Sequence, residues 1–138
     1  MLKVKKLNEN AKLPTKNLGD AGYDLYCSNA VTVMPKERTL VDTGIALEIP
    51  TGYVGLIWPR SGMAVNWGLD TLAGVIDSTY RGELKILLYN TSDDIMMFKA
   101  GTKIAQLVIQ QHAEFEIVEV QELSNTERQE GGFGSTGS

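Results

Sequence analysis

A carboxylate, a phenol and a guanidinium stand close together in the stretch Gly74-Val75-Ile76-Asp77-Ser78-Thr79-Tyr80-Arg81-Gly82-Glu83. A tight turn needs none of the three, because Gly, Asn, Asp and Ser suffice. Alone, the stretch also reads as an ordinary hairpin with Asp77 capping the turn and Arg81 in water. Pro59-Arg60-Ser61-Gly62 lies where a strand meets a candidate helix. Free N–H groups and the dipole at such a junction suit phosphate oxygens, and Arg60 adds a planar cation with several donors. The tail Arg128-Gln129-Glu130-Gly131-Gly132-Phe133-Gly134-Ser135-Thr136-Gly137 surrounds one aromatic ring with glycines. Backbone N–H groups there can approach an anion closely, and Phe133 can lie against a flat base.

Two further stretches carry single polar groups in telling places. Ala21-Gly22-Tyr23-Asp24-Leu25 sets one carboxylate beside a glycine where a loop enters a strand. Gly101-Thr102-Lys103-Ile104-Ala105-Gln106-Leu107 puts a lone amide, Gln106, in an apolar strand, where it needs partners. Each has a plain structural explanation as well: a turn aspartate, and an amide satisfied by backbone.

The elements that must position these groups are short. Residues 1–7 alternate apolar and basic and read as a first strand at a sheet edge, and 8–20 as a long loop. Strands are expected near 26–27, 31–34, 38–41, 44–49 and 53–58. Residues 61–66 form the one candidate helix, capped by Ser61 and ended by Gly68. The apolar runs 69–76 and 84–88 are the arms of the hairpin. Further strands are expected at 95–98, 104–110 and 115–120, the last alternating with Glu114, Glu116 and Glu119. Many short strands and almost no helix indicate an all-β sandwich, barrel or jelly roll. Residues 1–123 form that domain, and 124–138 a flexible Gly-rich segment with too little apolar content to pack a core. His112 reads as solvated, Cys27 as a small apolar residue, and Trp58, Trp67 and Met96-Met97 as packing residues.

Composition narrows the function. A chain of 138 residues with 43% apolar content suits one domain with a real core. No apolar run approaches a membrane span, and the first residues lack a signal peptide's apolar region. One His and one Cys exclude a Cys/His zinc site and a zinc-type base deaminase. The single cysteine rules out an internal disulfide and fits a reducing, cytoplasmic location (a host's cytoplasm for a viral chain). A net charge of −4 offers no general attraction for nucleic acid polymers. No Gly-x-x-x-x-Gly-Lys-Ser/Thr loop occurs.

The five stretches, in this order, resemble the five motifs of the trimeric deoxyuridine triphosphate nucleotidohydrolases, or dUTPases. The resemblance spans residues 21–137. It implies a distorted β jelly roll (β-clip) with one short helix and a flexible C-terminal tail. It also implies a homotrimer whose active sites draw on all three subunits, turning dUTP into dUMP and diphosphate. That reaction keeps uracil out of DNA and supplies dUMP for dTMP synthesis. By the same resemblance Asp77 is the general base for a water attacking the α-phosphorus. Asp24 holds Mg²⁺ through water. Arg60, Ser61, Gly62, Gln106, Arg128, Gly134, Ser135 and Thr136 bind phosphates. Ala73, Gly74, Val75, Tyr80 and Phe133 hold the nucleoside, Tyr80 beneath the deoxyribose and Phe133 over the uracil. No nucleic acid polymer and no membrane is implied as a partner.

Two positions depart from the family pattern: Gln129 replaces the usual glycine after the tail arginine, and Thr79 the usual acidic or serine residue before the tyrosine. The competing readings are a dCTP deaminase or bifunctional deaminase–hydrolase of the same fold, and a non-catalytic nucleotide-sensing module.

Overall fold

The computed structural model describes residues 1–135. Its ten strands are β1 (Lys3–Lys6), β2 (Gly22–Tyr26), β3 (Val31–Val33), β4 (Arg38–Glu48), β5 (Tyr53–Trp58), β6 (Leu69–Leu72), β7 (Val75–Ile76), β8 (Glu83–Asn90), β9 (Met96–Phe98) and β10 (Lys103–Gln111). One helix, α1 (Ser61–Trp67), interrupts them. The strands form two four-stranded sheets, in the orders β1-β4-β8-β6 and β2-β10-β5-β7, and the small pair β3-β9. Every pairing is antiparallel. This is the all-β, jelly-roll-like architecture with one short helix that the strand pattern implies.

Alternation explains which faces meet. On the first sheet Ile45, Leu84, Ile86 and Leu88 are buried, and on the second Leu25, Ile57, Ala105 and Leu107. These side chains form one continuous core. The buried polar Asn90 is satisfied there, donating through Nδ2 to the Val33 and Asp94 carbonyls at 3.1 and 2.7 Å.

Residues 38–41 and 44–49 are not two strands but the single strand β4, with a register shift against β8 between Asp42 and Ala46. Gly44 lies at that irregularity with φ +69°, so the sequence shows a break where the backbone only bulges. Helix α1 begins one residue earlier than the capping rule suggests. Arg60, extended at φ −80° and ψ 133°, is the N-cap and makes no side-chain capping bond; Ser61 is the first helical residue. Gly68 ends the helix at φ 67°, its N–H reaching the Ala64 and Met63 carbonyls.

The run 69–76 is not one hairpin arm. β6 pairs with β8, from Leu69↔Asn90 to Leu72↔Leu87, whereas β7 pairs with β5 in the other sheet. The crossing takes place at Ala73 and Gly74, both left-handed at φ 58° and 97°. A Cβ on Gly74 would sit 3.0 Å from the Ile57 carbonyl oxygen, so the crossover needs a glycine there.

Residues 115–120 form no strand. Phe115, Ile117, Val118, Val120 and Leu123 all lie exposed. Trp58 and Trp67 are both more than half exposed, although the Trp67 ring packs on Phe98 with centroids 6.4 Å apart. Met96 is buried and Met97 is not, because neighbours on a strand face opposite sides.

Candidate active site

Three strands of the second sheet bring the phosphate-side residues together. Asp24 on β2 lies opposite Gln106 on β10, and Gln106 opposite Trp58 on β5. The next two residues are Pro59 and Arg60. Arg60 Nε stands 3.3 Å from Asp24 Oδ1. Arg60 could not cap the helix in any orientation, because a guanidinium has donors only; its side chain pairs with the carboxylate. Only Nε is engaged, so the terminal guanidinium nitrogens remain available to an anion.

Gln106 donates through Nε2 to the Pro59 carbonyl at 2.9 Å. Its amide also lies directly over Gly22, where any Cβ would collide with it. The glycine before Asp24 therefore makes room for the amide that holds the Pro59–Arg60 corner. Asp24, Arg60, Ser61, Gly62, Gln106 and Lys103 all line one recess of about 570 Å³. Ser61 and Gly62 contribute first-turn N–H groups that have no intrahelical partner.

Lys103 is the residue that sequence reasoning missed, although it lies within the Gln106 stretch. Its Nζ stands 2.7 Å from Asp24 Oδ2. That hydrogen bond, reinforced by the carboxylate's charge, raises the Lys103 pKa above its ordinary value. The only signal was a cation opening an otherwise apolar strand, which is equally the mark of a solvated strand end. A larger groove of about 740 Å³ continues from this recess past Trp67, Ile95, Met97 and Phe98.

The hairpin residues form a second, separate place. The Tyr80 N–H donates to the Asp77 carbonyl at 3.1 Å and closes a turn. Arg81 is not free in water: its Nη1 donates to the Ser78 and Tyr80 carbonyls at 2.6 and 3.0 Å, clamping that turn. Tyr80 Oη donates to the Glu83 carbonyl at 2.9 Å, and its ring covers Gly82, where a Cβ would clash. Asp77 is exposed and lines a recess of about 390 Å³ with Tyr53, Val54, Ser78, Thr79, His112 and Glu114. β7 bonds to β5 by one edge, and β8 between Glu83 and Ile86 bonds only to β4. Among the described residues, β7 thus keeps one unpaired edge and β8 another between Glu83 and Ile86, on either side of the turn.

The two places lie at opposite ends of β5. The register Gly55↔Ile76 sets Asp77 beside Val54, whereas Arg60 follows the far end of the strand. Six residues of extended chain separate these positions by about 20 Å. One copy of the chain therefore does not bring Asp77 to the Asp24–Arg60 recess.

The tail residues reach neither place. Arg128 Nε donates to the Gly131 carbonyl at 2.7 Å, and the Gly132 N–H to Ser135 Oγ at 2.8 Å. Phe133 is fully exposed, and Gly134 is left-handed at φ 81°. Gln129 is also left-handed, at φ 47°, a conformation in which glycine would be unstrained. Thr136 lies outside the described residues.

The sequence profile of the dUTPase family matches residues 9–137. The chain belongs to the dUTPase family. It is 51% identical over 140 residues to the deoxyuridine 5'-triphosphate nucleotidohydrolase of Hydrogenobaculum sp., covering 99% of this chain and 97% of that one. It is 49% identical to the enzyme of that name from Paramecium bursaria Chlorella virus 1, over 99% of this chain and 97% of the relative. Among solved structures, a mutant dUTPase of Staphylococcus bacteriophage 80alpha with dUpNHpp superposes with a TM-score of 0.90 at 34% identity. The match covers 100% of this chain and 99% of the phage one. A mutant dUTPase from phage phi11 of S. aureus, described as revealing how a structural Mg(II) ion is coordinated, gives a TM-score of 0.85 at 31% identity. That match covers 91% and 99%.

Proposed function

We propose that this chain hydrolyses dUTP to dUMP and diphosphate as a homotrimer with active sites shared between subunits. Membership of the dUTPase family supports the reaction. The observation that carries the shared site is the strand β5, which sets the hairpin carboxylate about 20 Å from the Arg60 corner. A base and the phosphorus it serves must come within a few ångströms, so the hairpin of one copy serves the recess of another. The exposed apolar residues of 115–123 supply surface for a second copy to cover.

In this reading the recess takes the triphosphate. Arg60 presents its free guanidinium nitrogens, Ser61 and Gly62 their N–H groups, and Gln106 fixes the corner. The unpaired edges of β7 and β8 take the base, by backbone groups near Ala73–Val75. Uracil has an N3–H donor and an O4 acceptor, while cytosine reverses both, so the wrong base leaves polar groups unpaired. Tyr80 is pinned flat by its bonds to Glu83 and its packing on Gly82, which suits a wall against a 2′-hydroxyl. Asp77 accepts the proton of a water whose oxygen bonds to the α-phosphorus. The bond from that phosphorus to the α,β-bridging oxygen breaks, and diphosphate leaves. The tail of a third copy closes as a lid, Arg128 with Gly134, Ser135 and Thr136 on phosphate and Phe133 on the base.

No cluster of three His, Cys, Asp or Glu side chains among the described residues could hold a metal unaided. Asp24 alone fits Mg²⁺, which keeps several waters and binds through one or two carboxylates together with substrate phosphates. Bound there, the ion would screen the tetra-anion and orient it for in-line attack.

Diphosphate release from dUTP and from dCTP, measured side by side, tests the function. Rapid release from dUTP with neither release nor deamination of dCTP is expected. Ammonia from dCTP would instead establish a deaminase, and binding without turnover a sensing module.

A further inference from the structure

We propose that Lys103 is a built-in counter-ion that holds Asp24 until nucleotide arrives and thereby makes metal binding depend on the nucleotide. The inference rests on the reading of Asp24 as the Mg²⁺ carboxylate.

The two cations on Asp24 are attached differently. Arg60 touches Oδ1 with Nε, the side of its guanidinium, at 3.3 Å. Its terminal nitrogens stay free, so Arg60 can keep this contact while binding an anion. Lys103 sets the compact point charge of its ammonium directly against Oδ2, at 2.7 Å. A hydrated divalent cation and an ammonium compete for that carboxylate. The Asp24 side chain is 23% exposed and already faces two positive charges, so a third cation arriving alone meets repulsion and a committed acceptor.

The nucleotide reverses this balance. Lys103 lines the same recess as Arg60, Ser61 and Gln106. Phosphate oxygens placed there offer the ammonium a new partner, and a lysine on a flexible four-carbon stem can turn to them without moving the strand. Asp24 is then released to the waters of the metal. Metal and nucleotide thus each favour the other's binding by the same factor. The arrangement keeps the empty site neutralised and prevents a metal ion from occupying Asp24 before substrate does.

The test is Mn²⁺ titration of the nucleotide-free trimer by electron paramagnetic resonance. Affinity for a non-hydrolysable dUTP analogue is measured in parallel, with and without Mg²⁺. Lys103→Met should bind Mn²⁺ alone roughly two- to fivefold tighter than the parent, the effect of removing one close charge on a partly exposed site. The gain in analogue affinity on adding Mg²⁺ should shrink in the same proportion. Lys103→Arg, which keeps the charge, should retain the parent's weak Mn²⁺ binding. Equal or weaker Mn²⁺ binding by Lys103→Met overturns the proposal. Lys103→Gln provides the same reading should the methionine variant fold poorly. Adding Asp24→Asn to Lys103→Met should abolish the gained Mn²⁺ site. Should it persist, Asp24 is not the metal carboxylate, and the underlying reading fails rather than the role of Lys103 alone.

Discussion

Strand β10 is an almost wholly apolar run from Ile104 to Ile109 with one amide in it, and the segment that follows alternates apolar residues with glutamates; β10 lies between two partners, whereas the segment pairs with no strand among the described residues. Ile104, Ala105 and Leu107 are buried between β2 and β5. Phe115, Ile117, Val118 and Val120 are exposed, with Glu114, Glu116 and Glu119 among them. Alternation states that a strand has two faces; it does not state whose neighbour it is. In the proposed trimer such a segment would be covered by another copy. The same division runs through the candidate active site. Its phosphate side is assembled within one copy by β2, β5 and β10, while its hairpin and tail face outward, incomplete.

The sharpest way to break this comparison is to separate the two halves genetically. Asp77→Asn should retain fold, trimer mass and analogue binding but lose about 100- to 10,000-fold in turnover, because an amide cannot take the proton. Arg60→Ala should fail from the phosphate side. Mixing the two inactive proteins, unfolded and refolded together, should restore dUTP turnover, since some shared sites then hold both native residues. A mixture that stays inactive would place Asp77 and Arg60 in one copy's site and refute the division.

Removing residues 128–138 should come next in size. Loss of roughly 100-fold in turnover is expected, the scale of misplaced or unsequestered reacting groups, with thermal unfolding of the trimer nearly unchanged. The tail bonds only to itself in the described structure, so it has little stability to remove. Intact turnover after truncation would reduce the tail to a loose end.

Ile117→Asp probes the unpartnered segment. A side chain exposed at 97% in one copy should tolerate a charge if it remains exposed in the assembly. Covered by a second copy, it should weaken association by about 1.5–3 kcal/mol per contact. Light scattering on dilution should then show dissociation at concentrations where the parent stays trimeric. An unaltered mass profile would mean that the segment is not an interface.

Gln129→Gly should have the smallest effect. The left-handed backbone costs a residue with a Cβ about 1 kcal/mol or more, partly offset by the greater freedom of glycine in the open tail. A fall in KM of a few-fold at most, with kcat retained, is expected if that conformation belongs to the closed lid. A rise in KM would show that the glutamine side chain itself makes a useful contact.

The stretches around Asp24, Arg60 and Gln106 were legible only together: each has an ordinary structural explanation alone, and their order along the chain carried the resemblance. The structure brings these three side chains to one recess. Lys103 was not legible, because a lysine at a strand end is ordinary until its partner is known. Ser61 was misread as the cap because the rule weighs side-chain type alone, whereas the backbone is still extended at Arg60 and already helical at Ser61.

The sequence by itself determined the fold class, the family and the order of the motifs, since alternation, turn residues and motif spacing are local properties. Tertiary structure alone decided that the run 69–76 divides between two sheets at Ala73–Gly74 instead of forming one hairpin arm. It alone decided that Gly22 is a glycine for the sake of Gln106, and that Asp24 is held by Lys103. It alone set Asp77 and Arg60 at opposite ends of β5. These are relations between strands far apart in the chain, fixed by register and by which edges are left to pair, and no local pattern encodes them.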